Sequence, residues 1–238
     1  LVGSGKLLPL LLQCCQHNWP EVRQSAFAVV GDLAKTSLPH LRPYLEPVFQ
    51  LALANLDPDH VSVCNNACWS VGEIAVRLPP DAHDALPPLL AQLLIPLVNL
   101  IGRAALHKSL LNNTAITLGR FGLASPESVA PSLPQFIQPW CRVLAGIRDD
   151  AEKEQAFRGL SKLAYANPQG CLDSFEFVVM ALDSWRPDRL PDALRGDLAA
   201  LLAWFKQNLE QAGQWQALYA RVPPDAQERI MQKYSVSP

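Results

Sequence analysis

Apolar residues recur at three- and four-residue intervals along nearly the whole chain, a spacing that predicts amphipathic helices from end to end. Two kinds of helix alternate. One kind is rich in leucine and proline: LLPLLLQCCQ, LRPYLEPVFQLALANL, LPPLLAQLLIPLVNLI and VAPSLPQFIQPWCRVLAGI. We call these the A helices. The other kind, the B helices, mixes small, amide and apolar residues: VRQSAFAVVGDLA, VCNNACWSVGEIA, LLNNTAITLGRFG and KEQAFRGLSKLAY. Each A helix leads to its B helix through a short polar turn: HNWPE, DPDH, IGRAALHK and IRDDAEK. Links this short force antiparallel helix hairpins. Pro20 suits the first turn of a helix, and Asp149 or Asp150 suits an N-cap. No alternating strand pattern of useful length competes.

The B segments are copies of one another. Their small-residue anchors are Gly31, Gly72, Gly119 and Ser161, each followed two residues later by a large apolar group: Leu33, Ile74, Phe121 and Leu163. A period near 40–47 residues is that of HEAT and armadillo arrays. The expected fold is all-α, a right-handed superhelical HEAT-repeat solenoid of antiparallel hairpins at roughly 5–36, 38–77, 82–123, 130–166 and 170–211, with closing helices over 213–234. A single hairpin cannot bury its apolar face alone, so neighbours must stack. The opening LVGSGK runs straight into an apolar A helix with no polar capping repeat. We therefore expect the C-terminal part of a longer solenoid, with an unstacked face on its first hairpin.

Composition narrows the function. The chain has 238 residues, of which 49% are hydrophobic and 18% charged, and a formal net charge of −2. That excludes a disordered chain. It also argues against nucleic acid held through phosphates. The uncharged run Ala85–Gly102 contains Pro87, Pro88, Pro96, Gln92 and Asn99, which suits a kinked buried helix better than a membrane span. The six cysteines show no disulfide framework. Zinc at Cys14, Cys15 and His17, or at His60, Cys64 and Cys68, competes with a reading as buried thiols, which we favour. GSGK at Gly3–Lys6 lacks the spacing of a phosphate loop, and the five histidines pair with no nucleophile. The chain reads as a non-enzyme with no cofactor.

A wheel at about 100° per residue places Val63, Cys64, Ala67, Cys68, Val71, Ile74 and Ala75 of the second B helix on one arc. Ser62, Asn65, Asn66, Trp69, Ser70 and Glu73 fall on the opposite arc. A tryptophan off the core stripe is either a binding residue or packing between repeats. Equivalent positions in stacked repeats form rows. Trp69 and Ile116 share one row, Asn66 and Asn113 another, and Asn65 and Asn112 a third. Asp32 and Glu73 put carboxylates to one side. Such a face suits an extended peptide: amides pair with its backbone, carboxylates with Lys or Arg, and an apolar pocket takes a side chain. Alternatively, the amides only solvate a helix face.

The runs PEVRQSAFAVVGDL (20–33), VSVCNNACWSVGEI (61–74), LLNNTAITLGRFG (110–122), VAPSLPQFIQPWC (129–141) and EKEQAFRG (152–159) closely resemble the transportins. These are the karyopherin-beta import receptors that recognise proline-tyrosine nuclear localisation signals. The resemblance covers nearly the whole chain and falls on the C-terminal repeats of a longer receptor. It implies a concave surface of B helices that binds extended cargo signals. The implied cargo contacts are Asp32, Val61, Asn65, Trp69, Asn113 and Ile116, with Trp69 as the central apolar contact; Glu73 is added from the repeat register. The resemblance also implies nucleoporins and the GTPase Ran as partners of the full receptor, with the Ran site largely outside this chain, and shuttling between cytoplasm and nucleus. It implies neither direct nucleic-acid binding nor membrane insertion. Two other readings remain: a structural HEAT scaffold for a multiprotein assembly, and a HEAT-like DNA-repair enzyme, which the charge balance disfavours.

Overall fold

A computed structural model describes residues 6–79 and 85–236. The run at Gly3–Lys6 as far as Gly5, His83 and the first residues of the third expected hairpin lie outside them. The described residues form an all-helical array. The first hairpin is α1 (Leu7–Cys14) and α2 (Pro20–Thr36). The second runs from α3 (Leu38–Leu41) and α4 (Leu45–Ala54) to α5 (Val61–Ala75). Next come α6 (Leu86–Ile101) with α7 (Lys108–Ala124), then α8 (Pro126–Val129) and α9 (Leu133–Ala145) with α10 (Ala151–Ala166). The fifth comprises α11 (Gln169–Leu172), α12 (Phe175–Asp183) and α13 (Asp192–Gln211); α14 (Trp215–Tyr219) and α15 (Pro224–Tyr234) close the array.

Proline shapes the A layer. Pro39 and Pro43 lie where the second A helix divides into α3, a short 3-10 turn and α4. Pro96 and Pro139 sit inside α6 and α9, where each removes one backbone donor. The stretch that resembled a membrane span is α6, with eight of its residues buried in the core. No helix among the described residues is long and apolar enough to cross a membrane. The B helices start cleanly. Pro20 occupies the first turn of α2. Asp150 caps α10 by accepting from the Glu152 and Lys153 amides at 3.0 and 3.1 Å. Asp149, the other capping candidate, instead accepts from Lys153 Nζ at 2.7 Å and from the Arg186 amide at 3.0 Å, tying α10 to the next turn.

The B helices stack through their glycines. A Cβ on Gly31 would lie inside the Trp69 ring, and one on Gly119 would meet the Ala156 backbone. One on Gly159 would strike the Gly119 carbonyl. The fourth copy keeps the core register of the first: Ala156, Phe157, Leu160, Leu163 and Ala164 are buried as Ala26, Phe27, Val30, Leu33 and Ala34 are. The backbone contact, however, falls on Ala156 and Gly159, two to five residues before the expected Ser161. Polar side chains fasten the same layer. Asn66 donates to the Gln24 carbonyl at 3.0 Å and Thr117 to the Cys68 carbonyl at 2.9 Å. Trp140 Nε1 donates to the Ala115 carbonyl at 2.9 Å and so joins α9 to α7. Helices that touch backbone to backbone approach more closely than leucine-lined ones. The stack therefore bends toward the B layer, which makes the B face concave.

Replacing Gly119 with alanine inserts a methyl into rigid backbone and should cost about 1–3 kcal/mol in urea denaturation. Gly196, in α13, has nothing within 4 Å of its would-be Cβ. There the same change should stabilise by about 0.5–1 kcal/mol. Equal effects at the two sites would contradict the glycine stacking described above.

Candidate peptide-binding face

The open part of the B face is narrow because an inner B helix such as α5 or α7 packs against its own A helix, the preceding B helix and the following one. A wheel with one buried arc underestimates this. In α5, Ser70 and Glu73 lie on the polar arc yet are buried. In α7, every residue from Thr114 to Gly122 is buried.

Trp69 is half-buried, with its ring laid against the glycine backbone of Gly31. Lys35, in the last turn of α2, holds its ammonium 4.3 Å from the ring centroid. The same ammonium lies 3.8 Å from Asp32 Oδ1, whose side chain is 71% exposed. An aromatic face, a cation and a carboxylate therefore meet at the α2–α5 junction. One turn before Trp69, Asn65 is half-buried, and its Oδ1 has no hydrogen-bond partner. A buried unpaired amide oxygen costs about 1–3 kcal/mol, so Asn65 is held here at a cost to stability. Val61, the first residue of α5, is half-buried and lines a cavity of about 620 Å³ with Pro58, Arg103, Leu106 and His107. Asn113 is half-buried in α7.

Two sequence expectations change. Ile116 is only 4% exposed and belongs to the core beneath the face, so it does not open a pocket beside Trp69. The reason is the tight approach of α7 to both of its B neighbours. Glu73 is 2% exposed and is not offered to a ligand. Its Oε1 lies 2.7 Å from Nη2 of Arg120, itself buried, and it also pairs with Arg77. Arg120 continues to Glu152 at 3.0 Å and to Gln155 Oε1 at 2.8 Å. This charge chain links α5, α7 and α10. Asn66 also leaves the amide row, because it staples α5 to α2. The sequence reading missed Lys35. Its position four residues after Gly31 faces position −3 of the next repeat, where Trp69 stands, and that register was the available signal.

Among the described residues no three metal-ligating side chains converge. All six cysteines are free, and only Cys14 is partly accessible. Burial pushes the Cys15 and Cys171 thiols up to about 12. At pH 8 an Ellman titration of the native chain should therefore count one fast thiol, and six after denaturation; more than one fast thiol would contradict this packing. Removing the carboxylate in Glu73→Ala leaves Arg77 and the buried Arg120 without that partner. The loss should be about 3–5 kcal/mol at its upper end, somewhat less because Glu152 and Gln155 still hold Arg120, measured by urea denaturation. A change under about 0.5 kcal/mol would mean that the buried pair contributes little.

Comparison with known proteins gives this geometry its relatives. Residues 7–37 match the HEAT repeat family. The chain is 39% identical to Transportin-1 of Homo sapiens over 236 residues, covering 99% of this chain and 26% of that protein. It is 37% identical to Transportin-1 of Oryza sativa subsp. japonica, over 97% of this chain and 26% of that one. A computationally designed armadillo repeat protein for modular peptide recognition shares the fold, with a TM-score of 0.61 and 18% identity over 97% of this chain and all of its own. The chain is thus a homologue of the transportins over nearly its whole length, and it spans about a quarter of theirs.

Proposed function

We propose that this transportin homologue is a segment of a nuclear import receptor whose concave B face binds extended nuclear localisation signals of the proline-tyrosine type. The observation that carries the reading is the α2–α5 junction. Trp69 is held half-open on Gly31, beside the exposed carboxylate of Asp32 and the unpaired amide oxygen of Asn65. The 39% identity over nearly the whole chain supports it.

In this reading Trp69 takes an apolar side chain of the signal on its open side. Asp32 attracts a Lys or Arg of the signal and exchanges it for Lys35. Asn65 and Asn113 pair with peptide backbone, and Val61 extends the apolar contact toward the start of α5. Ile116 and Glu73 support the face from beneath, one by packing under it and the other by fixing α5 to α7. The whole receptor would meet nucleoporins and Ran, would shuttle between cytoplasm and nucleus, and would read the proline-tyrosine end of the signal on repeats outside this chain.

The test is fluorescence polarisation with a labelled peptide carrying a basic-hydrophobic segment ahead of a proline-tyrosine signal. Trp69→Ala should weaken binding about 30-fold, equivalent to about 2 kcal/mol. Asp32→Asn should weaken it less, and the loss should shrink as salt rises. A folded chain that binds the peptide equally well with and without Trp69 would refute this site.

A further inference from the structure

The Lys35–Trp69 junction recurs at the other end of the array. Lys35 is the penultimate residue of α2, and Tyr165 is the penultimate residue of α10. The buried residues of the two helices superpose in register, Ala26 to Ala34 on Ala156 to Ala164. Both side chains therefore leave their helices on the same face. Lys35 lies over an aromatic ring of the next B helix, Trp69. Tyr165 does the same, meeting Trp204 of α13 edge to face at 5.2 Å.

This second junction is open. Tyr165 is 42% exposed, and Trp204 is half-buried against Phe205. Among the described residues, no ammonium or guanidinium lies over these two rings. The rim carries Asp197 and Glu154, bridged by Arg158 at 2.6 and 2.9 Å. Between the two junctions lies α7, whose central residues are all buried. A ligand crossing it meets no projecting α7 side chain there.

We propose that the Tyr165–Trp204 junction is a second aromatic seat on the same face, and that one extended peptide bridges it to Trp69. This rests on the peptide-binding reading above. The occupant is a Phe-, Tyr- or Met-type side chain, which packs on an open aromatic edge and needs no charge partner. Three B-to-B steps separate the seats, each about 8–10 Å, or about 25 Å along the inner curve. A strand rises about 3.3 Å per residue, so the two anchors of one peptide lie about eight residues apart.

Three labelled peptides of the same polar sequence test this: one with a single Phe, one with Phe at i and i+3, and one with Phe at i and i+8. Identical anchors make the result independent of chain direction. The i, i+8 peptide should bind at least ~10-fold tighter than the single-Phe peptide, through the effective concentration of its second anchor. The i, i+3 peptide should show no such gain. Tyr165→Ala should abolish the gain, change single-Phe affinity by no more than about twofold, the statistical share of one of two seats, and keep the helical far-UV circular dichroism of a folded chain. Binding that depends on Trp69 but shows no Tyr165-dependent gain overturns the second seat and leaves the first reading intact. Loss of Trp69 dependence for every peptide overturns the first reading. In that event benzoylphenylalanine placed at either anchor decides the second: cross-links to α10 and α13 support it, and cross-links only elsewhere overturn it.

Discussion

The backbone contact between α7 and α10 is the constraint on which the rest depends. Gly119 and Gly159 leave no room for a Cβ on either side. Two helices so placed lose the side-chain layer that normally separates them. The inner layer of the stack is therefore shorter than the proline-broken outer layer, and the array must curve. The same closeness shuts the middle of the face. The central side chains of α7 have no path to solvent, so Ile116 becomes core and Arg120 is roofed by Glu152 and Gln155.

Burying Arg120 carries a large desolvation cost unless its charge is met. Glu73 from α5 and Glu152 from α10 meet it from both sides. The charge chain is thus a consequence of the glycine contact, and it fixes the relative rotation of three successive B helices. Toward the array's end the fastening changes in kind. Lys233 of α15 donates to Asp183 and to the Trp185 carbonyl, and Tyr234 donates to the Leu182 carbonyl at 2.8 Å. Those bonds close the last hairpin with side chains, where the earlier hairpins are closed by the next repeat.

The architecture was legible because every level of the sequence agreed on it: period, hairpin turns, proline in one layer and glycine in the other. The short helix α8 (Pro126–Val129) lies between the expected spans 82–123 and 130–166, because Pro126 starts a separate turn ahead of α9. The site was legible only in part. Trp69 stood out because a large ring on a polar arc is unusual, and its seat on Gly31 follows from the same register. Glu73 and Ile116 misled for one reason: a single-helix wheel knows one neighbour, and α5 and α7 are packed on several sides. The fourth anchor misled differently. Ser161 aligns by core pattern, but the close contact is set by how far α10 slides along α7, which no pattern within one helix encodes.

Curvature and occupancy together set what the face can hold. A groove lined evenly with side chains would grip a peptide at every repeat. Here the tight centre buries α7 from Thr114 to Gly122 and leaves Asn113 at its edge, and open aromatic rings remain at α2–α5, where Trp69 lies over Gly31, and at α10–α13. The first ring is attended by Lys35 and Asp32, the second by a carboxylate pair already bridged by Arg158. A basic side chain therefore gains most at the first junction, where Asp32 remains largely exposed, and an uncharged one at the second. In the proposed reading, the glycines that build the fold also shape recognition: Gly31 seats the Trp69 ring, and Gly119 and Gly159 bury the side chains between the two junctions.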